Sequence, residues 1–269
     1  MNFVITTLLE NCVYGRTLKA EHGLALHIQP EEGKTILFDT GQTCSFAQNA
    51  KTLNIDLSEV DYLILSHGHS DHTGGLSTFL EINRKAKVIC KKELFARKFK
   101  NKRENGITEI EKLDLGRFCF INRITELVPG VYVCPDIPLV HPEDTHFDEF
   151  FTEKDGIIVP DMFDDELGLF LVGNNRYAVL SACAHRGITN LLEQGKILFP
   201  NATPELLLGG FHIHTGGEEK YQPIARYLQG TPIQRIGICH CTGVDQFVRF
   251  AEDFGTKVFY NYTGRKICF

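Results

Sequence analysis

Three histidines and an aspartate lie within the short run Ser66-His67-Gly68-His69-Ser70-Asp71-His72. Imidazole and carboxylate are ligands for a borderline cation such as Zn²⁺. His67 and His69 sit two apart in an extended or turning segment, so both can face one ion. Asp71 and His72 follow where the chain turns into a helix, and can face a second ion nearby. Gly68, Gly74 and Gly75 permit tight turns and close backbone approach. The plainer reading is a polar loop that happens to hold three histidines, and the spacing disfavours it.

Further histidines follow apolar strands in the same way. His185 comes after YAVLSACA, His212 after ELLLGGF and His240 after IGIC. Strand ends converge at one edge of a sheet, so ligands from several of them can meet at a point.

The run HGHSDH resembles the defining motif of the metallo-β-lactamase superfamily, and the resemblance extends over nearly the whole chain. TILFDTG at 35–41, DYLILSHGHSDHTGG at 61–75, SACAHRGITN at 181–190 and HCTG at 240–243 carry it. It implies a four-layer αββα sandwich of the α/β (α+β) class. It further implies that His67, His69 and His185 hold a first metal, and that Asp71, His72 and His240 hold a second. Asp39 would support the motif loop by hydrogen bonds rather than bind metal. The metal would be Zn²⁺, as one or two ions, with Fe or Mn as alternatives.

One departure matters. Most members with two ions carry a bridging Asp between the third and last histidines, whereas this chain reads LLLGGFHIH. His212 would approach the metals or the substrate instead, and the second site would be weaker or empty without a carboxylate. His214 reads as a surface or pocket histidine. Cys183, two before His185, reads as a small buried residue, with thiolate ligation as the alternative. Cys241 would point away from the ion if its segment is extended.

A narrower likeness lies in AEHGLAL at 20–26, FDTGQT at 38–43, PDMFDDELGLFL, GGFH and HCTG. This set is similar to proteins related to the archaeal dihydropterin–ribofuranosylaminobenzene phosphate synthase. By that analogy His22, Gln42 and Phe211 lie near a substrate pocket, which Arg186 would join as a phosphate holder. His22 reads equally well as a structural histidine, Glu21 as structural, and Asp165 and Glu166 as a solvated turn.

The expected activity is hydrolysis: the metal activates water for attack on an ester, amide or phosphoester. Asp71 orients the nucleophile or takes its proton, and His212 stabilises developing charge or protonates the leaving group. One rival is a transferase like the archaeal synthase, joining C to N with diphosphate release. Any phosphate would then be held by metal, by Arg186 or by amides near Gly187, because no P-loop is present. Another rival is a non-catalytic metal-dependent sensor or binding protein. The substrate would be a small molecule, phosphorylated or pterin-like.

The elements that position these residues can be read coarsely. Strands are expected at Phe3–Leu9, Ala25–Ile28, Thr35–Phe38, Tyr62–Leu65, Lys87–Cys90, Arg117–Ile121 and Gly130–Val133. Helices are expected at Ser45–Leu53 and Leu76–Asn83. Lys91–Asn105 reads as a solvated helix face, and Pro135–Phe151, with His141 and His146, as a long covering loop. A second half opens with a hairpin of Leu169–Val172 and Tyr177–Leu180. Strands at Glu205–Leu208, Arg235–Cys239 and Lys257–Tyr260 then alternate with helices starting at Asn190, Tyr221 and Val244. The expectation is one domain over residues 1–269, built from halves of approximately 1–165 and 166–269.

The bulk numbers bound the partners. A 43% hydrophobic content over 269 residues supports a large core, and a net charge of −6 disfavours nucleic-acid or anionic-membrane binding. No apolar stretch reaches the ~20 residues of a spanning helix. MNFVITTLLENC has no basic residue before its apolar run, so a cytoplasmic location with reduced cysteines is expected.

Overall fold

The computed structural model describes residues 2–108 and 110–269. Its apolar runs are too short for helices but alternate sharply between two environments. In strand β3 (Ile36–Phe38), Ile36 and Phe38 enter one core while Leu37 enters another. In β14 (Arg176–Ser181), Ala178 and Leu180 face one way and Tyr177 and Val179 the other. A strand buried on both faces needs such a continuous apolar run.

Two seven-stranded sheets result. The first runs in the order β18 (Lys266–Cys268), β1 (Phe3–Leu9), β2 (Ala25–Pro30), β3, β4 (Tyr62–Ile64), β5 (Lys87–Cys90) and β8 (Phe118–Phe120). The second runs β17 (Val258–Tyr260), β16 (Arg235–Ile238), β15 (Thr203–Gly209), β14, β13 (Gly168–Gly173), β10 (Val131–Cys134) and β9 (Thr125–Val128). Their inner faces share one core containing Ile5, Phe38, Ile64, Leu169, Leu180 and Leu208. Helices α1 (Ser45–Thr52) and α3 (Leu76–Ile82) cover the first sheet through Phe46 and Phe79. Helices α4 (Ile188–Leu198), α5 (Glu218–Gln229) and α6 (Val244–Phe254) cover the second through Leu191, Ile224 and Phe250. The layers are therefore αββα, as expected.

The sheets do not divide the chain near residue 165. The first takes its edge strand from 266–268, and the second takes β9 and β10 from residues 125–134. The segment 91–105 also departs from expectation. It is a short 3₁₀ turn at Lys92–Phe95 followed by β6 (Lys98–Lys100) and β7 (Arg103–Glu104). These join β11 (Phe150–Lys154) and β12 (Ile157–Pro160) in a small third sheet. The basic run misled because Lys98 is not solvated. It is buried, with Nζ 2.7 Å from Asp161 and 2.9 Å from Asp165.

Strand polarity gathers the site. β3 and β4 are parallel in the first sheet, and β14, β15 and β16 are parallel in the second. Their C-terminal ends release Asp39, His67, Cys183, His212 and His240 at the same edge of the sandwich. Crevices at the carboxyl ends of parallel strands are the usual binding places in such sheets.

Candidate metal centre

The motif loop leaves β4 and enters the short helix α2 (Ser70–Thr73). Asp39, fully buried, organises that loop. Its Oδ1 accepts the Ser66 N–H at 2.7 Å, and its Oδ2 accepts both Ser66 Oγ–H and His72 Nδ1–H at 2.7 Å. With its own hydrogen committed to Asp39, Ser66 Oγ accepts from His67 Nδ1 at 2.9 Å. His185 Nδ1 lies 3.2 Å from the His146 carbonyl, and His240 Nδ1 lies 2.9 Å from Asn11 Oδ1. The rings of His67, His185 and His240 thus donate outward from Nδ1 and turn an Nε2 lone pair inward, the tautomer that metal ligation requires.

The inward atoms have no protein partner. Nε2 of His67, His69 and His185 is buried without a hydrogen bond. The three rings lie 4.7–5.1 Å apart. Burial keeps His67 and His185 well below the normal histidine range, His69 at about 3 and His240 at about 4, so all are neutral near pH 7. Three converging neutral imidazoles with buried, unpartnered lone pairs fit a cation and little else.

A second cluster adjoins the first. Oδ2 of Asp71 lies 3.3 Å from His22 Nε2, 3.5 Å from His72 Nε2 and 3.4 Å from His240 Nε2. Burial opposes the Asp71 charge, but His72, His22 and His240 overcome it and hold the carboxyl well below its usual range. Cys183 is buried as expected, yet its Sγ lies 3.2 Å from His72 Nε2. Asp71, His72, Cys183 and His240 form one group of potential ligand atoms within 4.8 Å of one another; His67, Cys183 and His185 form another.

His212 stands between the centre and the exterior. Its ring is 4.1 Å from that of His185, and its Nδ1 has no hydrogen-bond partner. A groove outside is lined by His22, Gln42, Asp71, Lys100, Arg103 and His212. It continues past the exposed His214 to His146 and Lys220. His22 lines this groove, and its Nδ1 meets Asn11 Nδ2 at 3.1 Å.

Arg186 and Phe211 are elsewhere. The Arg186 guanidinium is committed to the carbonyls of Ile137 and Met162 at 3.1 and 2.8 Å. Phe211 is fully buried and packs on Phe250 in the outer helical core. The family analogy put Phe211, and the need for a phosphate holder put Arg186, at the pocket, but their side chains leave the backbone in other directions. The Gly187 amide is likewise committed, donating to the Ala184 carbonyl at 2.9 Å. Cys241 does not point away from the centre. His240 has φ +53° and opens a 3₁₀ turn, so the segment is not extended and Cys241 turns towards Cys183 and His212.

Asp165 and Glu166 are not a solvated turn. Asp165 Oδ2 accepts the Gly68 N–H at 2.6 Å, and a Cβ on Gly68 would stand 2.5 Å from the Leu94 carbonyl. Glu166 accepts the His185 and Arg186 N–H groups at 2.8 and 2.7 Å, and burial pushes its carboxyl up to about 7. The two acids thus brace both metal-facing loops. Glu10, which the sequence reading missed, does the same for His240, accepting its N–H at 2.7 Å. The available signal was an acid directly after a buried apolar strand, the pattern that also marks Asp39. Phe163 was missed as well; it stacks on His185 at 3.7 Å and 9°. Asp39, Phe163, Ala184, His212 and His240 all have φ between +52° and +61°. Each costs roughly 1 kcal/mol or more, and such strain persists where surrounding contacts over-determine it.

Residues 20–170 match the model of the metallo-β-lactamase superfamily. The chain belongs to that superfamily. It is 29% identical to the 7,8-dihydropterin-6-methyl-4-(β-D-ribofuranosyl)-aminobenzene-5'-phosphate synthase of Methanocaldococcus jannaschii, over 94% of this chain and 92% of the relative. An uncharacterised protein of the same organism is 30% identical over 93% and 94%. Among solved structures, a metal-dependent hydrolase of the β-lactamase superfamily superposes with a TM-score of 0.87 and 28% identity, covering 98% of each chain. Metal use is a property of the superfamily. No described helix is long and apolar enough to cross a membrane.

Proposed function

We propose that this superfamily member is a metal-dependent hydrolase of a small anionic molecule, with zinc at the imidazole cluster. The observation that carries the reading is the set of buried, unpartnered Nε2 lone pairs on His67, His69 and His185, beside a groove bearing cationic side chains. His67, His69 and His185 would hold one ion; Asp71, His72 and His240 would hold the other. A bound ion supplies Lewis acidity and an activated water at neutral pH.

The protein's own residues do the rest. Asp71 presents Oδ2 to His22, His72 and His240, which leaves Oδ1 to accept a hydrogen bond from the nucleophile and orient it. His212 is held neutral by burial and keeps Nδ1 unpartnered, so it can hydrogen-bond charge developing on the substrate. Phe150 and Phe163 wall the cluster against water. Lys100 and Arg103 at the groove attract an anionic group such as a phosphate. Gln42 and His22 flank the opposite side; Glu21 fixes the Gln42 turn by accepting its N–H at 3.1 Å.

One observation favours a second reading. The 29% identity to a synthase spans nearly the whole chain, and the same groove, with Lys100 and Arg103 on its wall, suits a phosphorylated arylamine or pterin diphosphate. The test is to load purified protein with zinc and assay an aryl phosphodiester, a lactone, and a hydroxymethyl-dihydropterin diphosphate with and without an arylamine. Hydrolysis of the first two, lost in His67→Ala together with bound zinc, supports the hydrolase. Diphosphate release only when arylamine is present would replace it with the transferase. Failure of the wild-type protein to take up metal would overturn both readings.

A further inference from the structure

We propose that Cys183 is the shared ligand of the two metal positions, its thiolate standing between them; this rests on the metal-dependent reading above. The carrying observation is geometric. The same Sγ belongs to three groups of candidate ligand atoms, one with His67 and His185, one with Asp71, His72 and His240, and one with His212 and Cys241, each group mutually within 4.8 Å. Among the described residues it is the one atom common to all three, and the first two are the metal positions proposed above.

The surrounding chain explains why a cysteine occupies this place. Cys183 and His185 both bring their ligand atoms to the centre, with Ala184 between them at φ +53° where the chain leaves its strand. The neighbouring strand β15 ends on Gly209-Gly210 and cannot supply a ligand at that point. A Cβ on Gly209 would stand 2.0 Å from the Ser181 carbonyl, and one on Gly210 2.5 Å from Cys241 Sγ and 2.6 Å from the Ala182 carbonyl. A carboxylate side chain there would collide with backbone.

Charge points the same way. Two divalent cations would otherwise face neutral imidazoles and the single carboxylate of Asp71. A thiolate between them adds a negative charge where cation–cation repulsion is greatest, and a thiol bound to such a cation gives up its proton outright. Zinc accepts mixed sulfur and nitrogen ligands without geometric penalty. Cys241 is the internal control. Its Sγ groups with Cys183 and His212 but belongs to neither of the two groups that hold the imidazole ligands of the metal positions.

The experiment compares wild type, Cys183→Ser and Cys241→Ser, each loaded with zinc or cobalt. Metal content, zinc-edge X-ray absorption and the cobalt charge-transfer spectrum are the readouts. Wild type and Cys241→Ser are expected to show a sulfur neighbour at about 2.3 Å, a thiolate–cobalt band and about two ions per chain. Cys183→Ser is expected to lose both sulfur signals and to hold about one ion. Should Cys183→Ser fail to fold, the Cys241→Ser spectrum decides, because Cys183 is then the remaining thiol at the centre. Bound metal with only nitrogen and oxygen neighbours would overturn the shared thiolate and leave the hydrolase reading standing. A sulfur signal that survives Cys183→Ser would overturn it equally. No metal uptake by any variant would overturn both.

Discussion

Lys98→Met is the most informative structural perturbation. Lys98 is buried, with its ammonium between Asp161 and Asp165 and 5.3 Å from the Phe163 ring. Methionine keeps the length of the side chain and removes the charge. Two carboxylates are then stranded together in a dry site. Breaking a buried ion pair by deleting one partner costs about 3–5 kcal/mol, because the remaining charge is uncompensated. The effect reaches the metal centre, since Asp165 also holds the Gly68 amide at 2.6 Å. Urea unfolding at fixed zinc concentration is the assay. With a slope of about 3 kcal/mol per M for a chain of this size, the midpoint should fall by roughly 1–2 M.

The pH dependence has a defined sign. Burial already raises the Asp161 carboxyl even beside Lys98. Without the ammonium, the folded-state value of Asp161 rises further above the unfolded one. A raised folded value gives stability that is complete below the unfolded value and is lost as pH rises through the folded value. The penalty of Lys98→Met must therefore be larger at pH 7 than at pH 5. Removing one stranded carboxylate, in Lys98→Met with Asp161→Leu, should recover part of the loss. A penalty under about 1 kcal/mol at pH 7, or one independent of pH, would refute the buried triad as a structural strut.

Three further outcomes are expected. Asp39→Asn keeps the size of the side chain but loses one of the acceptors that orient Ser66 and His72; zinc affinity should drop roughly 10- to 100-fold by competition with a chelator. His212→Ala should lower turnover of whichever substrate is found by about 10²-fold or more, with zinc content unchanged, and the opposite pattern would make His212 a ligand. In metal-free protein, His69 at about 3 and His27 and His240 at about 4 titrate far below unfolded histidine. The unfolded chain then binds more protons below pH ~6.5, so stability should fall as pH drops from there towards 4. A flat urea midpoint between pH 7 and pH 5 would contradict it.

Much of the centre was legible in the order of residues. His67, His69, Asp71 and His72 are close in sequence, and His185 and His240 follow apolar strands whose ends must share an edge once the sheets form. The αββα layers were anticipated through the family resemblance that the HGHSDH run and its companion segments carry. What the chain order could not convey was which side chains turn inward and which distant acids brace them. Asp165 and Glu166 read as a turn because acids beside a strand are usually solvated. Only the folded chain brings the Gly68 amide and the buried Lys98 to one of them and the His185 and Arg186 amides to the other. Lys98 looked solvated for the same reason, surrounded as it is by other basic residues in sequence. Cys183, Phe211 and Arg186 differ by where backbone dihedrals aim them, a property of loops strained by tertiary contacts and not of residue type. Local pattern determined the elements and the ligand chemistry; long-range packing and burial decided orientation, charge state and the company each side chain keeps.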